Sequence, residues 1–182
     1  MRVVHLKPME KTLKTKNSDE MKLFSGYPCL IFPYAHAIIE EERLISALKD
    51  FSKNWESHGV PVQGYFSILE NRFLVAAHQP KEISGCGRDD LVSFVRNVSI
   101  SLGLEWLEGA RVFYRDVEGI EAVDRLEFKK RVTEGRVTLD TEVFDTTLRE
   151  TDDVLAGRFA LPARHCWHGK IIESALAMKA TV

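Results

Sequence analysis

A two-part apolar stretch decides the fold of this chain: residues 62–78 read VQGYFSILENRFLVAAH. Aromatic and β-branched residues, which favour strands, are frequent in both halves and recur on one face of each. Asn71 lies between the halves, where a turn is needed. The stretch therefore predicts a β-hairpin with strands at 62–70 and 72–78.

The sequence on either side of the hairpin adds one strand and one helix in each direction. A helix shows as apolar residues that recur every three or four positions, and a short apolar run suits a strand. These elements are, in order, a strand at 28–35 that Pro33 moves towards a sheet edge, a helix from Glu40 with a stripe from Leu44 to Trp55, a helix with a stripe from Leu91 to Leu102, and a strand at 111–115.

Residues 28–116 thus read strand, helix, strand, strand, helix, strand, which is the order of the ferredoxin-like split β-α-β motif. Two right-handed crossovers would put both helices on one face of a four-stranded antiparallel sheet. Residues 117–182 have too few periodic positions for a core of their own. We expect an α+β protein with a ferredoxin-like unit over 28–116 and a C-terminal α/β extension over 117–182 that packs on it.

The N-terminal residues 1–26 lack any apolar period, and up to residue 22 their cationic side chains outnumber the acidic ones. They predict a basic, flexible tail in front of a single domain over 27–182. The alternative is that translation begins at Met21, just before the patterned sequence starts. The sequence leaves both possibilities open.

Composition limits the classes of function. The chain has 182 residues, 45% hydrophobic and 29% charged, with 25 Lys+Arg against 27 Asp+Glu. This balance is typical of one globular domain, and it disfavours nucleic-acid and membrane binding, which need clustered positive charge. Three widely spaced cysteines and the lack of a long apolar run fit a cytoplasmic protein.

The loop before the second helix is the strongest candidate for chemistry. Ser84-Gly85-Cys86-Gly87-Arg88-Asp89-Asp90 places a thiol between two glycines at a helix N-terminus. The helix field and Arg88 would favour a nucleophilic or metal-binding thiolate there. Asp89 and His78, the latter at the end of the strand that leads into the loop, are the candidate catalytic partners of Cys86.

Two other interpretations of this loop stay open. In one, the glycines only supply a turn, Asp89 or Asp90 caps the helix, and Cys86 is a small buried hydrophobic residue. In the other, the free amides of the loop bind an anion. A second cluster, His165-Cys166-Trp167-His168, offers three potential metal ligands, but no matching pair lies near it in sequence, so no metal and no cofactor are predicted.

Several short motifs together resemble one known family. They are Trp55 with His58-Gly59, Asn71-Arg72-Phe73, Ser84-Gly85-Cys86, Gly103-Leu104-Glu105, Gly135 with Thr141-x-Val143-Phe144, and Pro162 with Trp167. Over residues 28–170 the chain resembles a family of small uncharacterised bacterial proteins that are often catalogued as ABC transporter ATPases. The family loop usually reads Ser-Gly-Cys-Ser-Ile-Asp, so the resemblance carries over Cys86 and Asp89 but not Gly87 and Arg88. No P-loop motif G-x-x-x-x-G-K-[ST] occurs, which argues against an ATPase.

Two functional hypotheses follow. The first is a non-enzymatic binding or assembly module that recruits a protein partner or a second copy of itself through an edge strand. The alternative is a thiol-dependent enzyme or sulfur carrier that uses Cys86 at the helix N-terminus, with Asp89 and His78 orienting it. The absence of a basic-aromatic pattern on the central strands makes nucleic acid an improbable partner.

Overall fold

The computed structural model describes residues 24–107 and 109–179. The strands are β1 (Cys29–Pro33), β2 (Glu56–Ser57), β3 (Val60–Pro61), β4 (Gln63–Leu69), β5 (Phe73–Gln79), β6 (Val112–Asp116), β7 (Gly119–Val123), β8 (Glu142–Phe144) and β9 (Ala160–Pro162). The helices are α1 (Glu41–Ser52), α2 (Gly85–Ser101), α3 (Arg125–Thr133), α4 (Thr151–Leu155) and α5 (His168–Lys179), with one 3₁₀ turn at Ala163–His165. The protein is a mixed α/β chain with antiparallel sheets, as expected.

The predicted hairpin lies in the first sheet. Its order is β1-β5-β4, all antiparallel, with Ala77 of β5 opposite both Cys29 of β1 and Tyr65 of β4. Glu70 and Asn71 turn the hairpin with φ of 51° and 52°, angles that asparagine accepts more readily than most residues. Strands β1, β4 and β5 therefore have the neighbours that the split β-α-β motif requires.

The fourth strand of that motif is not part of this sheet, so the ferredoxin-like topology is not confirmed. The sheets are split, and β6 lies instead in a second sheet of order β7-β6-β8-β9. After α2 the chain meets the end of β1 through a bridge between Trp106 and Tyr34, and Arg149 meets its start by accepting from the Cys29 amide at 2.8 Å. Strand β6 then pairs with β7 across a two-residue turn, Val117-Glu118, and with β8. Local hairpin pairing and the aromatic contacts between the sheets thus replace the expected pairing with β1.

The elements form four layers, helices on sheet on sheet on helices. One apolar cluster joins α1 and α2 to the first sheet and includes Leu44, Leu91, Phe66 and Leu74. A second lies between the two sheets, where the Phe73 ring centroid is 5.2 Å from that of Phe113 and 5.3 Å from that of Phe144. A third joins the second sheet to α3 and α5 through Tyr114, Phe128 and Ile172. Both faces of each sheet are therefore covered.

The first helix is shorter than the periodicity predicts. It ends at Ser52, so Trp55 follows the helix rather than belonging to it, although the side chain is buried as expected. The next residues form the small β2–β3 hairpin, whose turn residues His58 and Gly59 have φ of 52° and 75°. Glycine is suited to this positive φ, and the tight turn explains why the helix does not continue.

Most of the expected basic tail, residues 1–26, lies outside the described residues, together with the question of Met21. The described part, 24–26, packs on the domain: Phe24 is buried, and the Gly26 amide donates to a carboxylate oxygen of Asp152 at 2.7 Å. Among the described helices, none combines the length and the apolar character that crossing a membrane requires.

Candidate functional site

A groove of about 760 Å³ opens at the end of the two sheets where the β4–β5 hairpin turns. It is lined by the segment after β1 (35–37), the hairpin tip (70–72), residues 105, 107 and 111, Arg115 of β6, and residues 120–122 of β7. We call it the inter-sheet groove. Charged side chains of both signs line it, which is typical of a site for a polar or peptide ligand rather than for an apolar one.

Arg72 builds the wall of this groove. Its Nε donates to the Tyr34 carbonyl oxygen at 2.7 Å, and its two Nη atoms donate to the carbonyl oxygens of Ala35 and Ile120. Its guanidinium also lies over the Phe113 ring, 5.8 Å from the centroid. Burial lowers the pKa of Arg72, and the charge of Glu121 acts in the opposite direction. Arg72 therefore ties the end of β1 to β7 across the groove.

Strand β7 presents a free edge to the groove. Among the strands that the structure describes it pairs with β6 alone, and in an antiparallel pair alternate residues direct their amide and carbonyl groups away from the partner strand. The Ile120 carbonyl accepts from Arg72, so Ile120 and Ala122 belong to the outward set. Within the described part of the chain no partner is recorded for the outward amide and carbonyl of Ala122. Half-buried Ala122 thus brings backbone groups that could pair with another strand to the groove.

The charges beside this edge divide into engaged and free groups. Arg115 is held by Glu70 at 2.7 Å and by Glu142 at 2.6 Å. Arg111 and Glu105, by contrast, are exposed, and neither has an ion-pair partner among the residues that the structure describes. As far as the described residues go, Arg111 and Glu105 are thus a free cation and a free carboxylate next to the open strand edge.

The Cys86 loop is a helix turn rather than a loop. Helix α2 begins at Gly85, and the cap is Ser84, whose Oγ accepts from the Gly87 amide at 3.1 Å. The interpretation in which Asp89 or Asp90 caps the helix is wrong, because the helix starts four residues before Asp89. Both aspartates lie exposed on the helix.

Cys86 itself is exposed, so the interpretation that it is a small buried hydrophobic residue is also wrong. The neighbouring residue Gly87 faces inward instead: the Trp55 indole donates to its carbonyl at 2.9 Å, and a Cβ there would meet the Ser57 Cβ at 3.2 Å. The glycine at 87 thus allows the β2–β3 hairpin to pack on the start of α2, which turns Cys86 towards solvent.

His78, unlike Cys86, is shielded from solvent. Its ring is buried, with Nδ1 2.9 Å from the Pro80 carbonyl oxygen and the ring centroid 6.0 Å from that of Trp55. Burial lowers the pKa of His78, and the hydrogen bond to Pro80 opposes this shift. Among the described residues neither His78, whose Nδ1 lies against the Pro80 carbonyl, nor Asp89 hydrogen-bonds to Cys86, so the three candidate residues do not form a bonded set.

The second cluster contains a cysteine and a histidine in contact. The Cys166 Sγ lies 3.2 Å from His168 Nδ1, and Trp167 stacks on the His168 ring. Burial raises the pKa of Cys166 and lowers that of His168 to about 4. At neutral pH the pair is therefore an uncharged thiol beside an uncharged imidazole. This is typical of a packing contact rather than of a reactive thiolate–imidazolium pair. In the described residues no group of three or more potential ligands is placed to hold a metal ion.

Sequence patterns did not single out the inter-sheet groove. Two parts of the sequence do contribute to the groove: Asn71-Arg72, which sequence analysis interprets only as a hairpin turn, and the residues after β6, where the two-residue turn 117–118 precedes a further strand.

Comparison of the chain with protein-family models, with curated proteins and with solved structures finds no match.

Proposed function

We propose that this protein is a non-enzymatic binding module that holds a short extended segment of a partner protein in the inter-sheet groove. The observation that supports this is the free edge of β7 inside a groove with charges of both signs. An added strand gains its affinity from main-chain hydrogen bonds and its specificity from side-chain pockets. Edge strands that stay uncovered are otherwise a hazard, because they template aggregation.

The geometry suggests how the segment would bind. The outward amide and carbonyl of Ala122 would pair with its backbone, while the bond from Arg72 to the Ile120 carbonyl would mark where pairing ends. Arg111 would favour an acidic side chain in the segment and Glu105 a basic one. Strand β7 has five residues, and Arg72 already occupies the Ile120 carbonyl. The free part of the edge can therefore pair with only about three or four residues of the segment, at about 3.3 Å each.

The experiment uses the full chain and a display library of short peptides that carry acidic and basic positions. Ala122→Pro removes the outward amide, and Ala122→Ser keeps it with a side chain of similar size. We expect selected peptides to bind the parent and the Ser variant alike and the Pro variant at least about tenfold more weakly. Thermal unfolding of both variants shows whether the fold is kept.

A second variant separates a failed fold from a failed hypothesis. Arg111→Glu changes an exposed side chain and keeps the backbone, so it is expected to reverse the preference for acidic peptides. Binders that ignore both Ala122→Pro and Arg111→Glu would refute the proposed groove. Concentration-dependent self-association that Ala122→Pro abolishes would identify a second copy of the chain as the partner.

The alternative function, a thiol-dependent enzyme or sulfur carrier, has one observation in its favour: Cys86 is exposed and free on the first turn of a 17-residue helix. In this proposal Asp89 and His78 orient the thiol. Alkylation of Cys86 at a rate that is already maximal near pH 7 would support it. A rate that keeps rising to about pH 8.5, as for an ordinary cysteine, would remove this alternative.

The wider assignments belong to the same proposal. We propose a single cytoplasmic domain over 27–182, in which β1, β4 and β5 with α1 and α2 represent a ferredoxin-like unit that has lost its fourth strand to the second sheet. The cluster between the sheets, which residues from both halves of the chain share, supports one folding unit. Membership of the bacterial family that the sequence resembles, without ATPase activity, is part of this proposal.

A further inference from the structure

A second, smaller pocket lies between α3 and α5, in the helix layer that packs on the second sheet. Its volume is about 160 Å³, and it is lined by Arg125, Lys129, Lys170, Ile171 and Ser174. Three of these five side chains are cationic and none is acidic. The pocket is far smaller than the inter-sheet groove and shares no residue with it.

The two helices run in the same direction, so their N-terminal halves lie side by side at this pocket. At the other end the Lys179 Nζ of α5 donates to the Thr133 carbonyl of α3 at 2.6 Å. Arg125 is the first residue of α3, and Lys170 is the third of α5. Cations are usually placed at the C-terminal ends of helices, because the N-terminal end carries partial positive charge. Here three cationic side chains instead converge beside the N-terminal halves of two helices.

Nothing in the described chain neutralises these cations. None of Arg125, Lys129 and Lys170 is within ion-pair distance of a carboxylate among the described residues, and Lys129 is half-buried. Of the acids at the start of α3, Glu127 binds Lys130 and Arg131 instead, and the Asp124 carboxylate caps the helix by accepting from the Glu127 amide at 2.8 Å.

From this convergence we propose that the pocket binds a phosphate group, free or as a phosphate monoester. A tetrahedral dianion matches three cations in one small pocket, and the Ser174 hydroxyl supplies a neutral donor. The volume holds one such group with a few waters, since a water occupies about 30 Å³. A nucleic-acid duplex is disfavoured because it needs a broad basic face, and the chain has a net charge of -2.

The experiment titrates the full chain with inorganic phosphate and, separately, with O-phosphoserine, following backbone amide chemical shifts. We expect saturable shifts at α3 and α5 with a dissociation constant in the millimolar range. Tighter binding of O-phosphoserine would identify a phosphate ester as the ligand, and equal or weaker binding would identify free phosphate. The double variant Lys129→Gln/Lys170→Gln is expected to raise the dissociation constant at least about tenfold.

The matched control is Lys49→Gln/Lys53→Gln, which removes the same charge from an exposed residue of α1 and from its exposed C-cap residue in the far layer. It is expected to bind phosphate as the parent does. Equal losses in both double variants would mean that only overall charge matters, and the proposal would fail. It would also fail if a short DNA duplex bound at this face while both phosphate ligands produced no shifts there.

Discussion

The Ser57 hydroxyl donates to the Ser84 Oγ at 2.9 Å, and the Ser84 amide donates back to the Ser57 Oγ at 2.8 Å. The pair joins the β2–β3 hairpin to the start of α2. Because Ser84 also caps the helix through the Gly87 amide, one side chain serves both the helix and its tertiary contact.

Replacing Ser84 by alanine is expected to lower the free energy of unfolding by about 1 kcal/mol, the usual cost of losing an N-cap. Urea unfolding measures the difference. The control is Ser101→Ala: Ser101 lies exposed at the other end of the same helix, where its hydroxyl donates to the Val98 carbonyl at 2.8 Å. That change is expected to stay within about 0.5 kcal/mol of the parent. Equal effects of both substitutions would contradict the capping role of Ser84.

The hairpin and the two long helices follow from local pattern, because alternation and the 3.6-residue period are properties of nearby residues. The start of α2 does not. Gly85 and Gly87 are poor helix formers and indicate a loop, but contacts from Trp55 and Ser57, about thirty residues earlier, hold them in the first turn. Helix propensities describe single residues and therefore do not include such long-range contacts.

The placement of β6 is beyond local pattern for a similar reason. Residues 112–116 indicate a strand, yet the choice between β1 and β8 as neighbour depends on how Phe113 packs against Phe73 across the sheets. The groove depends on the same choice, since it exists only where the two sheets part. Helix α5 is not among the predicted elements, although the helical spacing of Ile171, Ile172 and Ala175 indicates one.

Arg72 is expected to be the most sensitive charged residue of the inter-sheet groove. Arg72→Met leaves three carbonyl oxygens without their charged donor, which is expected to lower the free energy of unfolding by about 2 kcal/mol. Arg72→Lys keeps the charge but not the three-way geometry, so about half that loss is expected. Urea unfolding of both variants gives the values.

The control for Arg72 is Arg111→Met in the same groove. Arg111 is exposed and has no ion-pair partner in the described part of the chain, so its loss is expected to change stability by less than about 0.5 kcal/mol. If Arg72→Met proved as stable as Arg111→Met, the role of Arg72 as the tie between β1 and β7 would be wrong.

The buried His168 makes stability depend on pH. Its pKa is lowered to about 4 by burial, so between that value and the unfolded value of 6.5 the unfolded chain binds more protons than the folded one. Stability therefore falls as pH falls through this window, by about 2 kcal/mol between pH 7 and pH 5 from this residue. The lowered pKa of buried His78 acts in the same direction. Urea unfolding at both pH values measures the loss, and His168→Gln is expected to reduce it, whereas the exposed His36→Gln is not. An undiminished pH dependence in His168→Gln would show that His168 is not its source.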